Sequence, residues 1–240
     1  GKDLVAVGEA AADAGATYLA RTTGARITRV EVYRRHRRPG HVRTVDLTAA
    51  SRDLLAPCCA GCAWWLTRRD DTRDAGLRRA WEREAEAETG FFGRALVDGD
   101  AVIGWMHVAA ARLVPRARCL PAGPPSPDAH LLTCAYFYDE EYLHGFRLLL
   151  HEVEAALKQR QVPALEAFAL GRTPEGDAFR GYLRALNLFN ADVLEGDGFQ
   201  RVQCKGDVVR LRIDLAALVE APRRSVAWRR VTAPAGTQPV

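Results

Sequence analysis

The chain has very little lysine and no long hydrophobic run. Only three of its 34 basic residues are lysines, so arginine carries nearly all of the positive charge. No apolar stretch approaches the roughly 20 residues that a membrane-spanning helix needs. The first residues lack the basic start and apolar run of a secretory signal. We therefore expect a cytoplasmic protein with no membrane partner, and 240 residues are enough to bury one substantial core.

Cysteine is also sparse. Six cysteines in a chain of this length do not form a disulfide scaffold, which indicates a reducing compartment. Cys59 and Cys62 form a Cys-x-x-Cys pair, but no second such pair follows, so we predict no structural metal site. Two interpretations stay open: a reversible, redox-active Cys59–Cys62 disulfide, or small residues packed beside Trp64 and Trp65.

Charge is distributed unevenly along the chain. Residues 21–45 hold eight arginines against the single acidic residue Glu31, and residues 223–230 add four more arginines. The formal net charge is only +4, so the middle of the chain is acidic. Such polarity points to an anionic partner for the ends of the chain.

The basic N-terminal segment is predicted to be a β-hairpin with a Pro39-Gly40 turn at its tip. Arginines on such a ribbon can neutralise phosphates, so nucleic acid is one candidate partner. Two alternatives stay open: the ribbon could make contacts between subunits of a homo-oligomer, or it could be a solvated arm that has no partner. The candidate nucleic-acid residues are Arg29, Arg34, Arg35, Arg37, Arg38 and Arg43.

Hydrophobic periodicity predicts an α/β (α+β) fold with a mixed central sheet flanked by helices. An N-terminal helix and the basic hairpin form an arm over residues 1–44, the main domain spans 45–216, and a basic, proline-containing tail spans 217–240. Within the main domain we predict a helix over 75–88, a long amphipathic helix that follows a short acidic loop containing Gly145 and ends near 160, and a short helix near 186–195. The predicted strands are a hairpin around Asp98-Gly99-Asp100, a buried strand near 131–137, and strands at 163–170, 199–204 and 207–214.

The order of these elements and several short motifs resemble the GNAT superfamily of N-acetyltransferases. More specifically, Cys59, Cys62 and Trp65 resemble a bacterial subgroup with an N-terminal Cys-x-x-Cys-x-x-Trp element. The resemblance covers about residues 45–216. Its other pieces are Trp81 with Glu84, Gly90, DGDAVIGW at 98–105, PRAR at 115–118, DAHLLTCAYF at 128–137, LEAFAL at 165–170, GDGF at 196–199 and VRLRIDL at 209–215.

The resemblance implies that acetyl-CoA binds between two diverging central strands, with its pyrophosphate on a loop of pattern Arg/Gln-x-x-Gly-x-Gly/Ala. Small residues are needed there because the backbone must approach the phosphates closely. Aligning Gly145 with the first glycine places Tyr142 and Arg147 where the family has other residue types, so this loop is degenerate. The candidate cofactor-binding residues are Cys134, Tyr136, His144, Gly145, Phe146 and Arg147.

Amine acetylation needs a base that accepts a proton from the amine and an acid that protonates the leaving thiolate. Glu166 and Asp139 are the candidate bases, and a solvent-facing Glu166 without catalytic function is the alternative. The resemblance implies a tyrosine acid in or before the helix near 186–195. That segment contains no tyrosine, so Tyr182, which lies just upstream of it, is the candidate acid.

Two functions remain open from the sequence. The first is an acetyl-CoA-dependent N-acetyltransferase of an unidentified amine. The second is a weakly active or inactive relative that regulates transcription by binding DNA through the arginine-rich arm and senses a nucleotide or CoA ligand. The resemblance favours the first, whereas the degenerate loop, the missing acid and the basic arm favour the second.

Overall fold

The computed structural model describes residues 42–68, 73–138, 142–171 and 188–218. The predicted N-terminal helix, most of the arginine hairpin and the C-terminal tail lie outside these ranges. So do two of the three candidate catalytic residues, Asp139 and Tyr182.

The described residues form one mixed sheet of eight strands. Its path is β1-β2-β3-β4-β5-β8-β7, and the short β6 pairs with β5 off this path. Neighbours are antiparallel, except that β4–β5 and β5–β6 are parallel. The strands are β1 Val42–Leu47, β2 Gly93–Asp98, β3 Ala101–Ala110, β4 Ala129–Phe137, β5 Ala164–Leu170, β6 Phe189–Asn190, β7 Gln200–Lys205 and β8 Val208–Asp214.

Within the described ranges, four α-helices accompany the sheet: α1 Pro57–Ala60, α2 Ala75–Thr89, α3 Tyr142–Gln159 and α4 Ala191–Gly196. Helix α2 is defined by its ends. Asp74 precedes it, and the Asp74 carboxylate accepts a hydrogen bond from the Leu77 amide at 2.8 Å. Gly90 ends the helix at φ 85°, a left-handed conformation that glycine adopts without strain. Short 3₁₀ helices span Ala49–Leu54, Trp64–Leu66, Ala111–Leu113 and Pro115–Cys119.

The sheet buries two separate apolar clusters, one on each side. Helix α3 covers one side, and we call this the α3 face. It contains Leu132, Phe146, Leu150 and Leu165 among its buried residues. Helix α2 and residues 55–66 cover the other side, the α2 face, whose buried residues include Trp65, Trp81, Trp105, Leu131 and Phe168.

The structure confirms the predicted mixed α+β sheet with flanking helices. Helix α2, the β2–β3 hairpin and strands β4, β5, β7 and β8 appear close to their predicted positions. Helix α3 begins at Tyr142, earlier than predicted, so Gly145 lies inside the helix and not in the loop before it. Strand β1 pairs along its whole length with β2, so Val42, Arg43 and Thr44, which we assigned to the arm, are part of the main sheet.

None of the described helices is both long enough and apolar enough to cross a membrane.

Candidate functional site: a fork between β4 and β5

The central feature is a fork where the two parallel strands β4 and β5 separate. They pair only from Ala129 opposite Ala164 to Leu132 opposite Ala167. Strand β4 continues beyond this pairing to Phe137, while β5 continues to Leu170. Among the described residues, no strand pairs with the β5-facing edge of residues 133–136. Free backbone donors and acceptors of this kind need a partner, which makes the edge a candidate binding surface.

A β-bulge marks the point where the fork opens. His107 pairs with Cys134 and Val108 with Leu132, so Thr133 is the extra residue on β4. The Thr133 hydroxyl donates a hydrogen bond to the His107 carbonyl oxygen at 3.2 Å. The bulge therefore keeps β4 attached to β3 while it turns β4 away from β5.

The other side of the fork is formed by β5 together with β6. Because β8 occupies one edge of β5 over its whole length, β6 must lie on the edge that β4 has left. On the α3 face, the Phe146 ring bridges the gap. Its centroid lies 6.4 Å from that of Phe137 on β4 and 6.1 Å from that of Phe189 on β6. The first turns of α3 thus cross the wide end of the fork.

Gly145 lies in the first turns of α3 and faces the sheet. A side chain there would meet the Phe137 ring at 3.2 Å and the Leu96 side chain at 3.3 Å. Close helix–sheet packing is therefore a sufficient reason for glycine at this position. Its neighbour His144 is exposed, and Phe146 is buried.

Arg147 is held by an ion pair with the end of helix α4. Its Nε lies 2.9 Å from the Asp197 carboxylate, whose side chain is only 6% exposed. A phosphate in this region would have to compete with Asp197 for the guanidinium. As a result, Arg147 ties α3 to α4 across the α3 face.

Glu166 lies on the α2 face of β5 and is fully buried, which excludes the solvent-facing alternative. Its carboxylate lies 2.7 Å from Arg210 Nη1 and 3.5 Å from Arg212 Nη1, and it accepts a hydrogen bond from the Ser126 amide at 3.1 Å. The Glu166 carboxylate is therefore the shared counter-charge of two guanidinium groups. This geometry suits a structural ion pair better than a catalytic base.

A buried polar chain leads to the β4 side of the fork. Arg52 and Arg78 both bind the Glu82 carboxylate, at 2.7 and 2.8 Å. Arg78 Nη2 also lies 2.9 Å from His107 Nε2. Arginine can only donate, so Nε2 accepts and the proton of the neutral imidazole sits on Nδ1.

His107 Nδ1 therefore donates to the Cys134 sulfur, 2.9 Å away. Burial, reinforced by the charge of Arg78, holds the pKa of His107 well below its ordinary value, and burial raises the pKa of Cys134 to about 11. In this tautomer the imidazole does not accept the thiol proton. The His107–Cys134 pair is thus a structural contact rather than an activated nucleophile.

Cys59 lies on the α2 face near Cys134, and burial together with that thiol raises the pKa of Cys59 above its ordinary range. All the described cysteines are free. A thiol with a raised pKa has little thiolate, the form that reacts with oxidants. Both Cys59 and Cys62 pack against the apolar cluster of the α2 face, and a redox-active pair stays a prediction. Within the described ranges, no group of three or more His, Cys, Asp or Glu side chains is arranged to hold a metal ion.

Of the candidate nucleic-acid residues, the structure describes only Arg43, which lies exposed on the edge strand β1. Of the candidate catalytic residues it describes only Glu166. Cys134 and Tyr136 both lie in residues 133–136 of β4, which we call the free half of β4. Sequence reasoning missed the Arg78–Glu82–His107 chain, although the lone histidine within the apolar strand VIGWMHVAA was a usable signal.

No protein-family model and no curated protein matches the chain. Similar solved structures are acetyltransferases. The ribosomal-protein-S18-alanine N-acetyltransferase of Escherichia coli shares 9% identity over 75% of this chain and 97% of its own, with a TM-score of 0.44. The GNAT domain of Streptomyces lividans PAT shares 14% over 72% and 90%, with a TM-score of 0.43.

A third similar structure is the PaiA N-acetyltransferase of Thermoplasma acidophilum, solved in complex with coenzyme A. It shares 12% identity over 72% of this chain and 98% of its own, with a TM-score of 0.38. At these identities the likeness concerns the fold alone.

Proposed function

We propose that this protein is an acetyl-CoA-dependent N-acyltransferase that transfers the acyl group to an amine at the fork between β4 and β5. The observation that carries the proposal is the edge of residues 133–136, which no described strand covers and which begins where β4 leaves β5. The pantetheine arm of acetyl-CoA contains two amide groups, and it can pair with such an edge as an additional strand does.

The position of helix α3 supports this orientation of the ligand. Phe146 places the first turns of α3 at the wide end of the fork, where β4 has ended. The first amides of a helix have no partner within the helix and attract phosphate oxygens. With pantetheine along β4, the pyrophosphate would reach this end of α3.

The reaction would form a bond between the amine nitrogen and the thioester carbonyl carbon, break the carbon–sulfur bond, and release the CoA thiol. The acyl carbonyl would lie near the backbone amides of Cys134 to Tyr136, which are suited to stabilise the developing oxyanion. We propose no described side chain as the base, because Glu166 already neutralises two arginines.

Calorimetry with two ligands tests the proposal. Acetyl-CoA should bind with a dissociation constant in the micromolar to low millimolar range typical of enzyme substrates. Adenosine 3′,5′-bisphosphate, which lacks pantetheine, should bind at least tenfold more weakly. No binding of acetyl-CoA at millimolar concentration would refute the proposed function. Equal binding of both ligands would show that pantetheine contributes no affinity, and that the fork is not part of the binding site.

A further inference from the structure

Three buried tryptophans share an unusual feature on the α2 face. The indole nitrogens of Trp65, Trp81 and Trp105 are buried, and no hydrogen-bond acceptor in the described part of the chain reaches them. A buried donor left without a partner costs about 1–3 kcal/mol. Because an indole nitrogen can only donate, only an acceptor atom, normally an oxygen, can satisfy such a donor.

Two of these donors flank the fork. The Trp65 ring packs against Phe168, with centroids 6.2 Å apart, and Phe168 directly follows the last residue of β5 that pairs with β4. The Trp105 ring stacks on Tyr136, on the free half of β4, with centroids 4.7 Å apart and an interplanar angle of 13°. Trp65 thus lies on the β5 side of the fork and Trp105 on the β4 side.

Trp81 provides an internal control. It belongs to helix α2 and packs against Phe92 and His107, with the Arg78 guanidinium 4.4 Å above its ring. Neither of these aromatic neighbours belongs to the free half of β4 or to β5. A ligand at the fork should therefore affect Trp65 and Trp105 and leave Trp81 unchanged.

The surface beside the two flanking donors is aromatic. Tyr138 follows β4 and is 57% exposed, and its ring lies 5.3 Å from that of Tyr136 and 5.7 Å from that of Trp105. The nearby arginines Arg52 and Arg78 are already paired with Glu82. Burying a carboxylate without a charge partner is costly, so a neutral carbonyl oxygen suits the indole donors better.

From this arrangement we infer that the amine substrate enters the fork from the α2 face. This amine bears an apolar or aromatic group and a neutral carbonyl oxygen. The Trp65 and Trp105 indole groups donate to that oxygen, and the apolar group packs on Tyr136 and Tyr138. This inference rests on the proposed function, since it assigns the amine substrate of the same fork.

Indole resonances in a ¹H–¹⁵N NMR spectrum test the inference without relying on catalysis. The chain has five tryptophans, and single Trp→Phe variants assign their signals. The probes are L-phenylalaninamide, which has the carbonyl, and phenethylamine, which has the same ring and amine without it. L-phenylalaninamide should shift the Trp65 and Trp105 signals saturably, whereas phenethylamine should not. Neither probe should move Trp81.

Two results would overturn the inference: Trp65 and Trp105 signals that stay fixed with both probes, as expected if water satisfies these donors, or signals that both probes move equally. Because this readout needs no acetyl-CoA, its failure is distinguishable from failure of the proposed function, which calorimetry measures separately.

Kinetics give a second readout. In Trp65→Phe or Trp105→Phe, the ratio of kcat/KM for L-phenylalaninamide to that for phenethylamine should fall about three- to tenfold, as expected for one lost hydrogen bond. Trp81→Phe should leave the ratio unchanged. The ratio matters because a merely structural defect lowers both rates together. An unchanged ratio in both flanking variants would contradict the inference.

Discussion

The two faces of the sheet differ in what they bury. The α3 face is almost entirely apolar, and Glu154 is the buried charged residue that helix α3 contributes to it. The α2 face also has a large apolar cluster, but it buries Arg78, Glu82, His107 and Glu166 as well. The α3 face resembles an ordinary apolar core. On the α2 face, the burial of polar and charged side chains beside the fork carries a desolvation cost. This difference is the basis for our proposal that the acceptor approaches from the α2 face.

The largest expected effect comes from breaking the polar chain of the α2 face. Glu82→Gln should lower the unfolding free energy by about 3–5 kcal/mol, because it leaves Arg52 and Arg78 without their shared counter-charge. Glu84→Gln on the same helix is the control. Because Glu84 is 60% exposed, this substitution should change the free energy of unfolding by no more than about 0.5 kcal/mol. Urea denaturation measures both, and equal effects would contradict the account.

Low pH should also destabilise the fold through its buried histidines. Burial, with Arg112 nearby, lowers the pKa of His130 from 6.5 to about 4, and that of His107 is lowered too. Below pH 6.5 these two histidines are protonated in the unfolded chain but stay neutral in the folded chain. The free energy of unfolding therefore falls as the pH falls. His130 alone should cost about 3 kcal/mol between pH 6.5 and 4.

His151 on helix α3 should act in the opposite direction. A hydrogen bond to Glu154 raises its pKa, so its contribution is present below pH 6.5 and is lost as pH rises through the folded-state pKa. The effect should be small because the side chain is 60% exposed. Denaturation from pH 4 to 8 in the parent, His130→Gln and His151→Gln checks both signs. His130→Gln should flatten the acid slope, and an unchanged slope would contradict this assignment.

Periodicity and turn signals predicted the strands and helices because they depend on local sequence. The fork could not be predicted in detail, because the length over which β4 pairs with β5 is set by packing between distant segments. Gly145 shows the limit most clearly. A glycine required by a phosphate and one required by the Phe137 ring look identical in sequence, and Arg147 meets its partner Asp197 only in the folded structure.

A smaller effect should separate structure from catalysis at Glu166. Glu166→Gln should lower the unfolding free energy by about 2 kcal/mol. The loss is limited because Arg210 keeps the Ala122 carbonyl and Arg212 keeps Asp128 as partners. The rate of acetyl transfer measured well below the melting temperature should change by less than threefold. A loss of about a hundredfold or more with an intact fold would restore Glu166 as the general base.

The smallest effect concerns Arg147. Asp197→Asn should cost about 1 kcal/mol of stability and free the guanidinium. If Arg147 then reaches the pyrophosphate, acetyl-CoA should bind two- to tenfold more tightly, roughly the gain of one charge-assisted contact. Glu195→Gln, which releases the exposed Arg201 instead, should leave affinity unchanged. Equal affinities in both variants and the parent would exclude Arg147 as a phosphate ligand.

Amide hydrogen exchange along β4, measured with and without acetyl-CoA, tests the central claim most directly. In the described part of the chain no strand covers the β5-facing edge of residues 133–136, whereas residues 130–132 are paired on both edges. We expect acetyl-CoA to slow exchange in 133–136 and to leave 130–132 nearly unchanged, and we expect adenosine 3′,5′-bisphosphate to protect neither segment. Binding of acetyl-CoA without protection of 133–136 would contradict the assignment of the fork as the cofactor site.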